Sequence, residues 1–121
     1  MDISVGHTPD SDDAFMFYAM FTGKVKSDDF SVTHVIEDIE KLNRKAKNPE
    51  LDVTAVSVHA CAHIPNYVML RSGGSFGINY GPIVTATKPM TIEEIKKSKI
   101  AIPGEMTSAY LLLQLMIGKF D

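Results

Sequence analysis

One stretch of the chain, SVGHTPDSDDAFMFYAMFTG at residues 4–23, joins the end of a strand to a polar turn and an apolar helix. The apolar residues before Gly6 predict a short buried strand, and Pro9 fixes one φ angle in the turn that follows. Residues 14–21 are strongly apolar and predict a helix that stops near Gly23. The polar turn is therefore expected at the carboxyl end of a strand, which is where open α/β sheets bind their ligands.

The polar turn carries residues that suit the N-terminus of a helix. Asp10 or Ser11 can cap the helix, and Asp12 and Asp13 stand where the helix dipole favours negative charge. Capping alone would explain this arrangement in any α/β domain. A turn that binds a ligand is the alternative, and these residues by themselves do not decide between the two.

The composition is that of one ordinary globular domain, or of part of a larger one. The chain has 121 residues, of which 45% are hydrophobic, and a net charge of −3, so it can build a core and does not resemble a nucleic-acid-binding surface. No apolar run approaches the roughly 20 residues of a membrane span, and we expect no membrane partner. The first residues lack the pattern of a secretory signal. The single Cys61 is compatible with a reducing compartment, and we expect a cytoplasmic protein.

Hydrophobic periodicity predicts the remaining elements. The acidic first turn and basic last turn of residues 39–47 predict a helix, on which Asn43 is expected at the surface. Thr91 and Glu94 have the spacing of a capping box. Strands are predicted at residues 30–36, 51–58, 67–72, 82–87 and 99–103, and further helices at residues 57–63, 92–97 and 109–117.

The last segment repeats the order of strand, polar turn and helix. Thr107 and Ser108 stand at the predicted start of the helix, where N–H groups and hydroxyls can bind a carboxylate or a phosphate. Capping of the helix is the competing interpretation. Residues 109–117 are apolar enough to require burial on nearly every side, yet the sequence ends at Asp121. We therefore expect a truncated, split or domain-swapped piece of a larger α/β protein, and self-association through this helix, as a homodimer or a domain swap.

Other chemical motifs are weak. His59 and His63 have the i, i+4 spacing of two zinc ligands, but the glutamate of the zincin motif is missing beside His59 and no third ligand is evident. Ser57 does not lie in the Gly-x-Ser-x-Gly turn of a nucleophilic serine, and the glycine-bearing loop at residues 73–81 has no nucleotide-phosphate motif. We therefore expect no metal site.

Several short motifs follow one another along the chain. They are GHTPDSDDAFMFYA at residues 6–19, IEDIEKLNR at 36–44, VTAVS at 53–57, LRSGG at 70–74, GP at 81–82, and PG followed by TSAY within 103–110. In this order they resemble the motifs of the 1,4-dihydroxy-6-naphthoate synthases, enzymes of the futalosine route to menaquinone. The resemblance covers essentially the whole chain, and the ordered set is far more specific than any one motif.

The resemblance implies a fold similar to type II periplasmic binding proteins, in which two α/β lobes close on a ligand. Residues 1–87 would form most of the first lobe, residues 88–98 a crossover, and residues 99–121 the first strand and helix of an incomplete second lobe. The implied reaction is a lyase step that opens cyclic dehypoxanthine futalosine and releases 1,4-dihydroxy-6-naphthoate. It implies no metal or organic cofactor, since a base removes a proton and the electrons expel the naphthoate part from the sugar part.

The resemblance also implies where a small carboxylate substrate would be bound. Backbone N–H groups and hydroxyls would anchor its carboxylate and its sugar oxygens, and one carboxylate of the protein would position a ring or ribose hydroxyl. The residues with these implied roles are, for the anchoring groups, Ala55, Val56, Ser57, Thr107 and Ser108, and for the positioning carboxylate, Asp13.

The catalytic base that the resemblance implies is not found in this sequence. It is a histidine within a hydrophobic-His-Glu stretch of the second lobe. The histidines of this chain, which are His7, His34, His59 and His63, all lie in other contexts. The resemblance puts the base beyond Asp121, so we expect the 121-residue chain by itself to be inactive.

Two other functions stay open at this stage. The chorismate dehydratase of the same pathway shares the implied fold but would process chorismate. A module that binds a small carboxylate without chemistry is the alternative from a different class. Comparing the two substrates on a full-length form would separate the dehydratase from the synthase. Tight binding of a small carboxylate without conversion would indicate the binding module.

Overall fold

The computed structural model describes residues 1–120, which form three strands and five helices. The strands are β1 (Asp2–His7), β2 (Ser31–Ile36) and β3 (Val53–Thr54). The helices are α1 (Ser11–Phe21), α2 (Ile39–Lys47), α3 (Val58–Cys61), α4 (Ile92–Lys96) and α5 (Ser108–Ile117). The predicted α/β class is confirmed, and α2 has the predicted bounds.

The three strands form one parallel sheet in the order β2-β1-β3. β1 pairs along its whole length with β2, from Asp2 opposite Ser31 to His7 opposite Ile36. On its other side β1 pairs with the two residues of β3. Because parallel strands point the same way, their carboxyl ends and the turns that follow them lie at one edge of the sheet, here named the carboxyl edge.

The centre of the sheet leaves no room for a side chain at Gly6. A Cβ atom there would lie 2.6 Å from Leu51 Cδ1 and 2.9 Å from Leu42 Cδ2. The strand continues through Gly6 to His7, past the end that the sequence predicts. The close approach allows α2 and the segment before β3 to pack directly on the backbone of β1.

Side chains cap α2 and α4 but not α1. Asp38 caps α2 by accepting a 3.0 Å hydrogen bond from the backbone N–H of Lys41. Thr91 and Glu94 form the predicted capping box at the start of α4. Asp10 occupies the capping position of α1 with an extended backbone, but its side chain makes no capping hydrogen bond.

The apolar core lies between α2, α3 and the turn before α5. Its buried members are Ala46, Ala60, Ile64 and Met106, with Val56 and Tyr67 packed against them. Leu42 is also fully buried, under the sheet at Gly6. Met106 brings the segment before α5 onto residues 46–64, so these two parts of the sequence share one core.

Three predicted strands are wrong, and a fourth is shorter than predicted. Residues 67–72, 82–87 and 99–103 form no strand, and of residues 51–58 only β3 pairs. Within residues 1–120 the three apolar runs meet no strand with which to form a ladder, and extended backbone without a partner is not stabilised as a strand. Residues 68–89 are exposed throughout.

Helix α5 leaves part of its apolar surface exposed. Ile117 is buried, but Leu112, Leu115 and Met116 are 49%, 73% and 57% exposed. A hollow of about 500 Å³ lies between α5 and residues 82–87 and 98–103. No helix in the described part of the chain is long and apolar enough to cross a bilayer.

Candidate functional site

The carboxyl edge brings three strand-to-helix turns together. The backbone N–H of Glu37, after β2, donates to the carbonyl of His7 at 3.2 Å. The N–H of Ala55, after β3, donates to the carbonyl of Gly6 at 2.8 Å. The turns that open α1, α2 and α3 therefore lie side by side along this edge.

Ser57 is held in the turn before α3 by the side chain of Asn43. The backbone N–H of Ser57 donates to Asn43 Oδ1 at 2.8 Å, and Asn43 Nδ2 donates to Ser57 Oγ at 3.1 Å. Asn43 is fully buried, whereas Ser57 is half-buried. The prediction that Asn43 lies at the surface is therefore wrong, because its amide is used to build this turn.

The turn before α5 packs against the start of α3. The backbone N–H of His59 donates to Ser108 Oγ at 3.3 Å, and His59 Nδ1 lies 3.2 Å from the carbonyl oxygen of Thr107. These contacts join two parts of the chain that are separated by 48 or 49 residues. Residues 107–108 thus contact His59, two residues after Ser57, and the resemblance implies that both segments contain binding residues.

Thr107 and Ser108 differ in how accessible they are. Thr107 is 3% exposed, donates from its hydroxyl to the carbonyl of Gly104 at 2.7 Å and caps α5 by accepting from the N–H of Tyr110. Ser108 is half-buried, like Ala55 and Val56. The hydroxyl of Thr107 therefore serves the helix, which is the capping interpretation, whereas Ser108 is open to a ligand.

Asp13 braces the first turn. Its Oδ2 accepts hydrogen bonds from the backbone N–H and the hydroxyl of Thr8, at 2.6 and 2.8 Å. The side chain of Asp13 is 7% exposed, although it lies in the first turn of α1. Both of these hydrogen bonds connect the first turn of α1 to the loop between β1 and α1. In this structure Asp13 therefore stabilises that loop.

The glycine-bearing loop reaches the same helix end. Ser75 donates a hydrogen bond from its hydroxyl to Asp12 Oδ2 at the start of α1. This hydrogen bond, together with the backbone N–H of Asp12, lowers the pKa of the Asp12 carboxyl. The carboxylate of Asp12 is therefore charged near neutral pH, and Asp12 is an exposed residue beside the first turn.

The four histidines form two separate pairs. His7 stacks on Phe17, and its Nε2 lies 3.3 Å from His34 Nδ1. His59 and His63 have their ring centroids 5.3 Å apart. Among residues 1–120 no group of three or more His, Cys, Asp or Glu side chains is arranged to hold a metal ion.

A family model described as menaquinone biosynthesis matches residues 3–121. The chain belongs to the menaquinone biosynthesis family. The match extends over every motif from the first turn to the start of α5.

Two relatives of this menaquinone biosynthesis family member have the same name. The chain is 40% identical over 119 residues to a 1,4-dihydroxy-6-naphthoate synthase of Thermus thermophilus, and 28% identical over 114 residues to a synthase of the same name from Streptomyces coelicolor. These alignments cover 98% and 93% of this chain. Because both relatives are named as the synthase, the chorismate dehydratase is not favoured.

A solved structure has the same fold over this length. The crystal structure of a protein from Archaeoglobus fulgidus is similar, with a TM-score of 0.90 and 50% identity over 99% of this chain. The chain spans 44% of that protein, and 43% and 39% of the two named synthases. It therefore corresponds to less than half the length of the relatives that it matches.

Sequence reasoning missed two residues of α2 that organise this region. Asn43 holds Ser57, and Glu40 accepts a 3.2 Å hydrogen bond from the backbone N–H of Met106. Both side chains are buried. The burial of Asn43 could have been predicted from its position in the helix. Asn43 and Ala46 have i, i+3 spacing, which places both on the inward face of α2.

Proposed function

We propose that this chain forms the first part of a cytoplasmic 1,4-dihydroxy-6-naphthoate synthase, a lyase that opens cyclic dehypoxanthine futalosine and releases 1,4-dihydroxy-6-naphthoate. Membership of the menaquinone biosynthesis family and the shared name of both synthase relatives support this assignment. The chorismate dehydratase remains the second candidate only as an outcome of the test, since no observation favours it.

The observation that carries the proposal is the contact between His59 and the turn before α5. Through its N–H and its ring, His59 holds Ser108 and Thr107 beside the turn that contains Ser57. Two serines, Ser57 and Ser108, are thereby half-buried residues on neighbouring turns. The first N–H groups of α5 have no partner within the helix and add to the attraction for an anion.

In the proposed complex, the substrate carboxylate binds between these two turns. Ser57 and Ser108 donate from their hydroxyls, and the backbone of Ala55 and Val56 shapes the side of the pocket. Thr107 acts by capping α5 and so orienting its first turn. A carboxylate held at a defined place orients the rest of the substrate for proton removal. This orientation lowers the entropic cost of reaching the transition state.

Two further roles are proposed from the resemblance. Asp13 would position a ring or ribose hydroxyl. One carboxylate oxygen of Asp13 accepts both hydrogen bonds from Thr8, so the other oxygen can still accept a hydrogen bond from the substrate. The proton acceptor would be a histidine in the part of the relatives that this chain does not span. We expect the 121-residue chain alone to give no turnover, because that base and half of the clamp would be missing.

The proposed architecture is two lobes, similar to type II periplasmic binding proteins. Residues 1–87 would form most of the first lobe, residues 88–98 a crossover, and residues 99–121 the start of the second lobe. The exposed apolar residues 68–89 and the uncovered face of α5 support further polypeptide packing on this chain. The greater length of the relatives supports the same view.

The proposed function is tested with a chimera. This chain replaces the matching part of the Thermus synthase, and cyclic dehypoxanthine futalosine is supplied as the substrate. We expect the chimera to release 1,4-dihydroxy-6-naphthoate, with the unmodified Thermus protein as the positive control and the 121-residue chain as the negative control. Ser57→Ala in the chimera should lower kcat/KM by about tenfold, the loss of a hydrogen bond to a charged group.

Other results of the same experiment would contradict the proposal. A folded chimera that converts chorismate instead would favour the dehydratase. A folded chimera that binds a small carboxylate tightly in calorimetry, with no conversion of either substrate, would favour a binding module. Turnover by the 121-residue chain above a no-enzyme control would overturn the assignment of the base to the missing part.

We also propose that the uncovered face of α5 mediates self-association of the 121-residue chain, as a homodimer or a domain swap. Leu115 and Leu112 expose a large part of their apolar side chains there. Sedimentation equilibrium should show concentration-dependent association that Leu115→Lys weakens. Val25→Lys, at an exposed apolar residue outside α5, should leave it unchanged. A monomer at all concentrations would exclude this interface.

A further inference from the structure

We infer that Asn43 is a positioning residue that makes the Ser57 hydroxyl a hydrogen-bond donor to the ligand. The inference rests on the proposed function and identifies which atom of Ser57 meets the carboxylate, and with which polarity. It is carried by two hydrogen bonds that join one side-chain amide to one serine.

The orientation of the Asn43 amide follows from its partner. The backbone N–H of Ser57 can only donate, so the Asn43 atom at 2.8 Å from it must be the oxygen. The other end of the amide, which lies 3.1 Å from Ser57 Oγ, is then the NH2 group. An NH2 group can only donate, so Ser57 Oγ accepts this hydrogen bond.

Acceptance from Asn43 leaves the proton of the Ser57 hydroxyl unused. Within residues 1–120 the Ser57 hydroxyl donates to no protein acceptor, and Ser57 is half-buried. Asn43 is completely buried, so a ligand can reach the hydroxyl but not the amide that holds it. The serine therefore presents its proton to the open side of the turn.

The polarity of this arrangement selects an acceptor ligand. A carboxylate only accepts hydrogen bonds, and it fits a hydroxyl whose proton is free and one of whose two lone pairs already accepts from Asn43. Accepting from the amide also polarises the hydroxyl and strengthens it as a donor. Asn43 thus favours a carboxylate at Ser57 over a ligand group that would need to donate.

The test uses the 121-residue chain and 2-naphthoate as a carboxylate probe, with 2-naphthol as the matched probe without a carboxylate. Asn43→Asp places a second acceptor beside Ser57 Oγ, so the hydroxyl proton turns inward and is lost to the ligand. We expect the Kd for 2-naphthoate to rise about tenfold, as for loss of a hydrogen bond to a charged group. Asn66→Asp makes the same change at an exposed asparagine and should leave the Kd unchanged.

A double-mutant cycle separates the hydroxyl from the added negative charge. In the Ser57→Ala background no hydroxyl proton exists, so Asn43→Asp should raise the Kd about twofold or less. If Asn43→Asp has the same effect with and without the Ser57 hydroxyl, charge alone acts and the inference is wrong. Equal Kd values for the wild type and Asn43→Asp would also overturn it.

A measurement on the wild-type chain covers the case in which Asn43→Asp does not fold. The NMR signals of the Asn43 side-chain NH2 should shift on addition of 2-naphthoate and stay in place with 2-naphthol, because the ligand polarises Ser57 Oγ. Unchanged signals under saturating 2-naphthoate would overturn the inference while leaving the activity of the chimera as separate evidence. No saturable binding of 2-naphthoate to the wild type would contradict the proposed carboxylate site itself.

Discussion

The backbone N–H of Met106 donates a 3.2 Å hydrogen bond to Glu40 Oε2, across 66 residues of sequence. The other carboxylate oxygen of Glu40 accepts from Arg44 Nε at 3.1 Å. Met106 is buried in the shared core, and Thr107 follows it directly. The carboxylate of Glu40 therefore anchors the turn before α5 to the first half of the chain.

Glu40→Ala should loosen that anchor. The substitution leaves the buried N–H of Met106 without an acceptor, and we expect a loss of about 1–3 kcal/mol in the free energy of unfolding. Urea unfolding followed by circular dichroism measures it. Glu93→Ala removes an exposed glutamate whose ion pair with Lys96 is 3.4 Å long, and this control should change stability by less than about 0.5 kcal/mol. Equal losses in the two variants would contradict the anchoring role.

Gly104→Ala should disturb the same anchor from the other side. Gly104 has φ +147°, and a Cβ atom there would clash with the carboxylate of Glu40. Backbone strain alone costs on the order of 1–3 kcal/mol, and the Glu40 side chain must also move. The matched control is Gly81→Ala, which has open space around its Cβ position. A thermal melt should show a clearly lower midpoint for Gly104→Ala only.

Leu42→Ala tests the packing of α2 against the sheet. Leu42 is fully buried, and its side chain reaches the backbone of Gly6. The cavity should cost about 2–5 kcal/mol of unfolding free energy. Leu115→Ala makes the same truncation at a residue that is 73% exposed, and should cost far less. Comparable losses would mean that α2 does not pack on the sheet in solution.

His34 should make stability depend on pH. Burial, and to a smaller extent the neighbouring His7, lower the pKa of His34 below its usual value. As the pH falls, His34 is therefore protonated first in the unfolded chain, which favours unfolding. The free energy of unfolding keeps its full value above about pH 6.5, the usual pKa of histidine. It decreases as the pH falls from there to the lowered pKa of His34 in the folded chain. His34→Phe keeps a ring against Phe21 and should flatten that part of the profile. An unchanged profile would exclude His34 as its source.

Local patterns were sufficient for the helices. The acidic-to-basic gradient predicted α2 at its observed bounds, and the spacing of Thr91 and Glu94 predicted the capping box of α4. These signals act between residues a few positions apart, which is why they can be read without knowing the rest of the fold.

Strand prediction failed where it depended on distant partners. Residues 67–72, 82–87 and 99–103 are apolar enough to form strands, but a strand forms only when its backbone pairs with a neighbour. β1 and β2 succeeded because each has a full-length parallel partner in the other. Hydrophobicity alone therefore did not predict which runs pair as strands.

The proposed binding residues were predicted by motif, and the residues that contact them were not. Ser57 and Ser108 stand in recognisable turns, so a sequence motif can point to them. Asn43 was expected at the surface because the sequence around it does not indicate a contact with Ser57, 14 residues away. The sequence by itself determined the helices, the order of strand, turn and helix, and the family, since all of these depend on local pattern. Only the tertiary structure decided that Asn43 meets Ser57 and that His59 meets the turn before α5, because such contacts depend on how separate elements pack.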